Sequence, residues 1–414
     1  MIPKLYNLGI ALYGFAIRIT AFKNQKAKLW IEGRKNTFDY LEKSIIRGEE
    51  LIWIHAPSLG EFEQARPLIE QVKSDYSKYK ILLTFYSPSG YEIRKDYPLA
   101  DYICYLPLDT KENAKRFVNI VNPAFTFFVK YDFWANYLNE LQIRKHKHYV
   151  ISAIFRSNQF FFKKHGKWML DILAKIDHFF VQNEDSKYML LTRNITQVST
   201  SGDTRFDRVI DITKQAQELP LLDLFKQDKP LFIGGSTWQK GEELIVEFAK
   251  HYGTRFKYVI APHEIHSEQI EKLRTQFNLK VLLYSEATEQ NIDTVDVLII
   301  NNIGLLSSLY AYADIAYIGG GFGKGIHNTL EAATFGMPIF IGPKNGKFQE
   351  AQDLKDIGVA QEIKSAQELI AHCDHLFTRP KKWLEIKEKS KAYVEGKSGA
   401  TLKIINHVFK DRVR

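Results

Sequence analysis

Leu51-Ile52-Trp53-Ile54-His55-Ala56-Pro57-Ser58-Leu59-Gly60-Glu61 is the stretch that decides the fold. Its first six residues form a short, nearly unbroken apolar run, the pattern of a parallel strand covered on both faces. Pro57 and Gly60 end the strand and permit a tight turn, and a helix is expected from Phe62 onward. Ligands of open α/β sheets bind beyond the carboxyl ends of such strands. Glu61 is therefore placed at a cleft, where a partly shielded carboxylate can act as a general base. The same residue would also be explained if it only stabilised the positive end of its own helix, worth up to about 1 kcal/mol.

Outward from this stretch, apolar runs alternate with amphipathic ones. Strands are expected at Leu51 to Ala56, Ile81 to Tyr86, Tyr102 to Leu106, Phe125 to Val129, Tyr149 to Ile154 and Phe179 to Gln182. Helical patterns between them are the signature of repeated βαβ units. The pattern weakens between Gly202 and Lys229, then restarts at Pro230 to Gly234 and continues through Pro338 to Ile341. The expected organisation is a membrane anchor with basic linker over 1–35, a Rossmann-like domain over 36–207 and a connector over 208–229. A second Rossmann-like domain follows over 230–395, then a C-terminal helix over 396–414 that can cross back to the first.

The chain has 414 residues, 45% hydrophobic and 13% aromatic, enough for two sizeable cores. Cys104 and Cys373 are far apart with no CxxC spacing, which excludes a disulfide framework and a cysteine zinc site. His263-Glu264-Ile265-His266 is one residue short of HExxH, so no metal is expected. The formal charge of +9 is concentrated at the N-terminus: Lys4, Arg18, Lys23, Lys26, Lys28, Arg34 and Lys35 face one acid, Glu32, within residues 1–35. They overlap an apolar segment, Leu5 to Phe22, barely long enough to span a bilayer. It reads as a membrane anchor, lying in the interface or spanning once, with the basic residues meeting anionic lipid. A helix packed on the first domain is the plainer reading.

In the second half, Gly234-Gly235-Ser236-Thr237 follows a strand, so its amides and the Ser236 and Thr237 hydroxyls suit a phosphate. The glycine-rich run Gly319 to Gly325 leads into Ile326-His327-Asn328-Thr329-Leu330-Glu331. It matches neither GxGxxG nor the P-loop, which argues against a dinucleotide enzyme or an NTPase. An acid in the helical turn after such a loop suits ribose hydroxyls and suggests a nucleotide-sugar site. Pro262-His263 and Ile303-Gly304-Leu305 also follow strands and are candidate walls of that pocket. In the first half, Lys130-Tyr131-Asp132-Phe133-Trp134 is expected at the same crevice as Glu61. Arg156 and Phe160-Phe161-Phe162-Lys163-Lys164 suit an anionic amphiphile, and Arg205 closes the half within Gly202 to Asp207.

Taken in order, five segments resemble the 3-deoxy-D-manno-octulosonic acid (Kdo) transferases of lipopolysaccharide synthesis. They are Lys28 to Lys35, His55 to Glu61, Gly202 to Asp207, Gly235-Ser236-Thr237, and Gly319 through Pro343. The resemblance implies a GT-B glycosyltransferase of two Rossmann-like domains facing a cleft, with an N-terminal membrane-anchoring helix. It implies transfer of Kdo from CMP-Kdo, a substrate rather than a cofactor, to the lipid A precursor at the cytoplasmic side of the inner membrane, with no metal and no nucleic acid. By position, Glu61 matches the general base, and Arg205 falls where the family usually has a lysine for the departing phosphate. Pro262, His263, Ile303, Gly304, Leu305, Asn328, Thr329, Leu330 and Glu331 match the CMP contacts. One departure stands out: where the family has Glu-x-Glu-Leu-Trp-Pro-Asn, this chain has Lys130-Tyr131-Asp132-Phe133-Trp134-Ala135-Asn136. The supporting role of the first glutamate passes to Lys130 or Asp132, or is lost. The nearest rival is a GT-B transferase using another nucleotide sugar on a lipid-linked envelope acceptor; a glycolipid-binding membrane protein without turnover would not need the nucleotide signals.

Overall fold

The computed structural model describes residues 4–214, 217–323 and 325–410. Residues 1–3 of the expected anchor, Lys324 of the glycine-rich run, two residues of the expected connector and the last four residues lie outside this range. The chain divides into two units, residues 1–208 with 398–414, and residues 209–397. Each is built on its own seven-stranded sheet.

The first sheet contains β1 (Leu51–His55), β2 (Lys80–Phe85), β3 (Tyr102–Tyr105), β4 (Phe125–Val129), β5 (Lys147–Ala153), β6 (His178–Val181) and β7 (Val198–Thr200). Their order is β3-β2-β1-β4-β5-β6-β7, and each neighbouring pair is parallel. Every residue of β1 is buried, as its apolar run requires. Leu51 and Trp53 join the core on one face, with Phe117, Phe128 and Tyr137. Ile52 and Ile54 join the other, with Leu68, Ile81 and Phe127. The order reverses direction between β1 and β4, so the loops after these two strands flank a topological switch point.

The second sheet contains β8 (Leu231–Thr237), β9 (Lys257–Pro262), β10 (Val281–Leu283), β11 (Val297–Ile299), β12 (Ile315–Ile318), β13 (Ile339–Ile341) and β14 (Ala360–Glu362). Its order, β10-β11-β9-β8-β12-β13-β14, is again all parallel, with the switch point between β8 and β12.

The last described helix, Ala400–Val408, belongs to the first unit. Ile404, Ile405 and Phe409 enter its core, and Asp207 receives hydrogen bonds from Thr401 N at 2.7 Å and Thr401 Oγ1 at 2.6 Å. The carboxylate thereby satisfies donors at the helix start that would otherwise lack a partner.

At the N-terminus a 17-residue helix runs Lys4–Thr20. Among the described residues no helix is long and apolar enough to cross a membrane. One side of this helix packs on the first unit. Ile10 is buried, the Tyr6 hydroxyl donates to Asp109 Oδ2 at 2.6 Å, and Asn136 Nδ2 donates to Asn7 Oδ1 at 3.0 Å. The other side carries exposed Leu5, Leu8, Leu12, Phe15 and Ile19. The basic stretch is also divided. Arg34 stacks on Trp30 at 3.7 Å and donates to the Leu106 and Tyr86 carbonyls at 2.8 and 2.7 Å, and burial pushes its pKa down to about 10. It is a structural cation and not part of a lipid-facing surface, whereas Lys23, Lys26 and Lys28 are exposed.

Candidate functional site

In the first unit the helix Leu59–Asp75 starts three residues earlier than its sequence pattern suggests, so Glu61 lies in its first turn. Lys130 follows β4 directly. The two meet at the switch point: Lys130 Nζ lies 2.8 Å from Glu61 Oε1, and the Ser58 hydroxyl donates to Glu61 Oε2. Burial alone would raise the Glu61 pKa. The Lys130 ammonium and the hydrogen bonds from Lys130 and Ser58 outweigh it and hold the carboxyl below its usual range. Glu61 is thus an ionised acceptor, with side-chain exposure of 19%.

Asp132 has a different environment. Its Oδ2 lies 3.0 Å from His55 Nε2 and accepts from Trp134 Nε1 at 2.8 Å. His55 is fully buried, and its Nδ1 lies 2.9 Å from Thr84 Oγ1, which accepts from Trp53 Nε1 at 2.8 Å. A polar chain therefore runs through the sheet from Trp53 to Asp132. The substituted motif is split: Lys130 serves Glu61, while Asp132 is tied to His55.

Arg205 opens the helix Arg205–Lys214. Its Nε and Nη2 reach Asp203 Oδ2 at 2.9 and 2.8 Å. Burial pushes the Asp203 pKa up, but the Arg205 charge and the bonds from Arg205 and Gln64 bring it below its usual range. The guanidinium is one-quarter exposed, so it can meet an anion while Asp203 fixes its direction. Arg156 and Phe160 lie on the surface, whereas Phe161 is buried in the core.

In the second unit β8 and β12 run side by side, with Gly235 opposite Ile318. Ser236 takes a left-handed φ of +49°, and Thr237 is buried with its hydroxyl donating to Glu242 Oε1 at 2.8 Å. The glycines beyond β12 are needed for close approach. A Cβ on Gly319 would lie 2.0 Å from the Ser236 carbonyl oxygen, and one on Gly321 2.7 Å from Gly342.

Glu331 accepts from Ser307 Oγ at 2.7 Å and from Asn328 Nδ2 at 2.9 Å, which ties the segment after Ile303-Gly304-Leu305 to the Asn328–Glu331 turn. Within that turn only Asn328 and Glu331 present side chains outward. Thr329 and Leu330 are fully buried, so a nucleotide would meet their backbone alone. The Leu330 amide is already bound to Asn328 Oδ1 at 3.1 Å. Ile303 is 92% exposed and lines no wall in this conformation.

His263 has an aromatic setting that its sequence position did not signal. Its ring stacks on His327 at 4.1 Å and lies 4.8 Å from Trp238, whose Nε1 donates to His327 Nε2 at 2.9 Å. Burial, helped by His263, pushes the His327 pKa down to about 4, so this ring is neutral at pH 7. These three residues border a pocket of about 950 Å³ with Tyr317, Gly320 and Phe322. Thr237 and Pro262 border a separate pocket of about 360 Å³ with Glu242 and Lys272. Trp238 and His327 directly adjoin Thr237 and Asn328 in sequence, yet an aromatic beside a strand end or loop reads as core. Among the described residues no group of His, Cys, Asp and Glu could hold a metal ion.

Two Rossmann-like parallel sheets, each with candidate residues at its switch point, give an α/β architecture of GT-B-like fold. The UDP-GlcNAc 2-epimerase of Neisseria meningitidis shares this fold, with a TM-score of 0.62 at 15% identity over 87% of this chain and 100% of its own. Residues 31–208 match the family described as 3-Deoxy-D-manno-octulosonic-acid transferase (kdotransferase). The similarity extends beyond that region. The 3-deoxy-D-manno-octulosonic acid transferase of Haemophilus influenzae is 26% identical over 320 residues, 72% of each chain. That of Aquifex aeolicus is 26% identical over 349 residues, 82% of this chain and 89% of its own.

Proposed function

We propose that the protein is an inverting, metal-independent transferase that moves Kdo from CMP-Kdo to a sugar hydroxyl of the lipid A precursor, lipid IVA. The observation that carries the reading is Glu61: an ionised, oriented carboxylate at the switch point of a unit that matches the Kdo transferases. In a single displacement, Glu61 accepts the proton of the acceptor hydroxyl as its oxygen bonds to the anomeric carbon of Kdo. The bond from that carbon to the CMP phosphate oxygen breaks, and CMP departs with the electron pair. Arg205, Ser236, Thr237 and backbone amides meet the charge of the departing phosphate, the general way a transition state is stabilised by fixed donors. Asn328 and Glu331 suit the ribose hydroxyls, and His263 suits the base.

The exposed apolar side of the Lys4–Thr20 helix supports a position in the interface of the inner membrane, on its cytoplasmic face, with Lys23, Lys26 and Lys28 toward anionic headgroups. Incubating the protein with CMP-Kdo and lipid IVA and weighing the lipid product tests the reading and counts the sugars added. A mass gain of whole Kdo units is expected. An unchanged lipid, or thermal protection by UDP and not CMP, would point to the transferase with a different nucleotide sugar.

A further inference from the structure

Lys130 occupies the position where the family pattern has a glutamate, and an ammonium in an ion pair, with three donors and no acceptor, cannot take a carboxylate's part as proton acceptor. Three observations define what it does instead. Its backbone is left-handed, with φ of +62°, a conformation uncommon for residues with side chains. The amide of this strained residue is anchored to the Ile151 carbonyl at 2.9 Å. Its Nζ crosses the switch point to Glu61 Oε1 at 2.8 Å, with side-chain exposures of 24% and 19%, so the pair is not a loose surface contact.

We propose that Lys130 is the positioning residue of Glu61, fixing the direction of the carboxylate and keeping it in its base form for the acceptor hydroxyl. The inference rests on the reading of Glu61 as the general base. With Oε1 on Lys130 and Oε2 on Ser58, the carboxylate has a defined orientation, and its remaining lone pairs are what an incoming hydroxyl can reach. The other charged groups of these elements are engaged elsewhere: Asp132 with His55, and Glu63 with Arg66 and Arg94. Lys130 is accordingly the cation that acts on Glu61. Once Glu61 has taken the acceptor's proton, the ammonium loses its counter-charge, which favours release of that proton to solvent and restores the base.

The test is a pH titration of protein carrying ¹³C-carboxyl glutamate, without substrates, with the Glu61 signal assigned by its loss in Glu61→Gln. Lys130→Met should raise the Glu61 midpoint by about one pH unit or more, and Lys130→Arg should restore most of the shift. In turnover, the acid limb of kcat should move by a similar amount while the donor KM changes less than about twofold. Lys130→Gly, which relieves the left-handed backbone, gives the same titration if Lys130→Met does not fold. An unmoved midpoint, or a uniform loss of kcat with no shift of the limb, overturns the proposal. Because the titration needs no turnover, a wild-type protein that transfers no Kdo refutes the functional reading separately from the pairing.

Discussion

Gln64 donates its side-chain amide to Asp203 Oδ1 at 3.0 Å, joining two segments that are 139 residues apart. Gln64 is fully buried one turn beyond Glu61, and Asp203 holds Arg205 through hydrogen bonds from the Arg205 backbone amide, Nε and Nη2. Thr204 Oγ1 adds a bond of 2.6 Å to the Gln64 carbonyl. The helix carrying the proposed base and the turn carrying the proposed phosphate cation are therefore joined directly by buried hydrogen bonds. Their relative placement does not depend on a flexible loop.

Replacing Glu61 by Gln keeps the volume of the side chain and removes the charge. The variant should fold, with some loss of melting temperature from the broken Lys130 pair, and still be protected by CMP, while turnover falls by about 10²–10⁴. Near-normal Kdo transfer by Glu61→Gln would end the assignment of Glu61 as the base.

Arg205→Ala exposes the cost of Asp203, whose carboxylate is 5% exposed. Breaking a buried pair by removing one partner costs about 3–5 kcal/mol, so urea unfolding should show a large loss, with Arg205→Lys intermediate. The pH dependence has a definite sign. Asp203 titrates below its ordinary value when folded, so its contribution is present above about pH 4 and is lost as pH falls through the folded value. Melting curves between pH 3 and 7 should show a shallower acid-side decline in Arg205→Ala; an unchanged decline would assign the acid sensitivity elsewhere.

Gly319→Ala places a methyl group 2.0 Å from the Ser236 carbonyl oxygen, so β8 and the loop after β12 must separate. A destabilisation of about 1–3 kcal/mol and loss of thermal protection by CMP are expected. Gly323→Ala is the control, since its Cβ would sit 3.6 Å from the Gly320 carbonyl oxygen, an ordinary contact. Equal effects in the two variants would argue against a requirement for close approach at Gly319.

Leu12 and Phe15 are 59% and 61% exposed on the N-terminal helix. The double change Leu12→Ser, Phe15→Ser should leave stability within about 0.5 kcal/mol per site but weaken sedimentation with anionic vesicles at least about tenfold. Added salt should weaken the wild-type interaction as well, through the neighbouring lysines. Undiminished vesicle binding would remove this face from the proposed membrane contact.

The strand ends and turns that carry the candidate residues were legible because they are local features. The run from Leu51 to Glu61 set the carboxylate just beyond the first strand, whereas Gly319 and Gly321, read as room for a ligand, are required by packing against Ser236 and Gly342. Less legible were residues whose role depends on a partner far along the chain. His55 looked like the end of an apolar strand until Thr84 and Asp132 stood on either side of its ring. Leu330 and Thr329 matched nucleotide contacts by position, but their side chains are core.

What the sequence by itself determined is the series of parallel strands, the position of Glu61 beyond the first of them and the likeness to the Kdo transferases, since periodicity, turn residues and ordered motifs are read along the chain. Only the tertiary structure decided what Lys130 does, because a charge takes its role from what lies within a few ångströms. The strand order β2-β1-β4 brings the loop after β4 beside the loop after β1, and Glu61 and Lys130, 69 residues apart, become one ion pair.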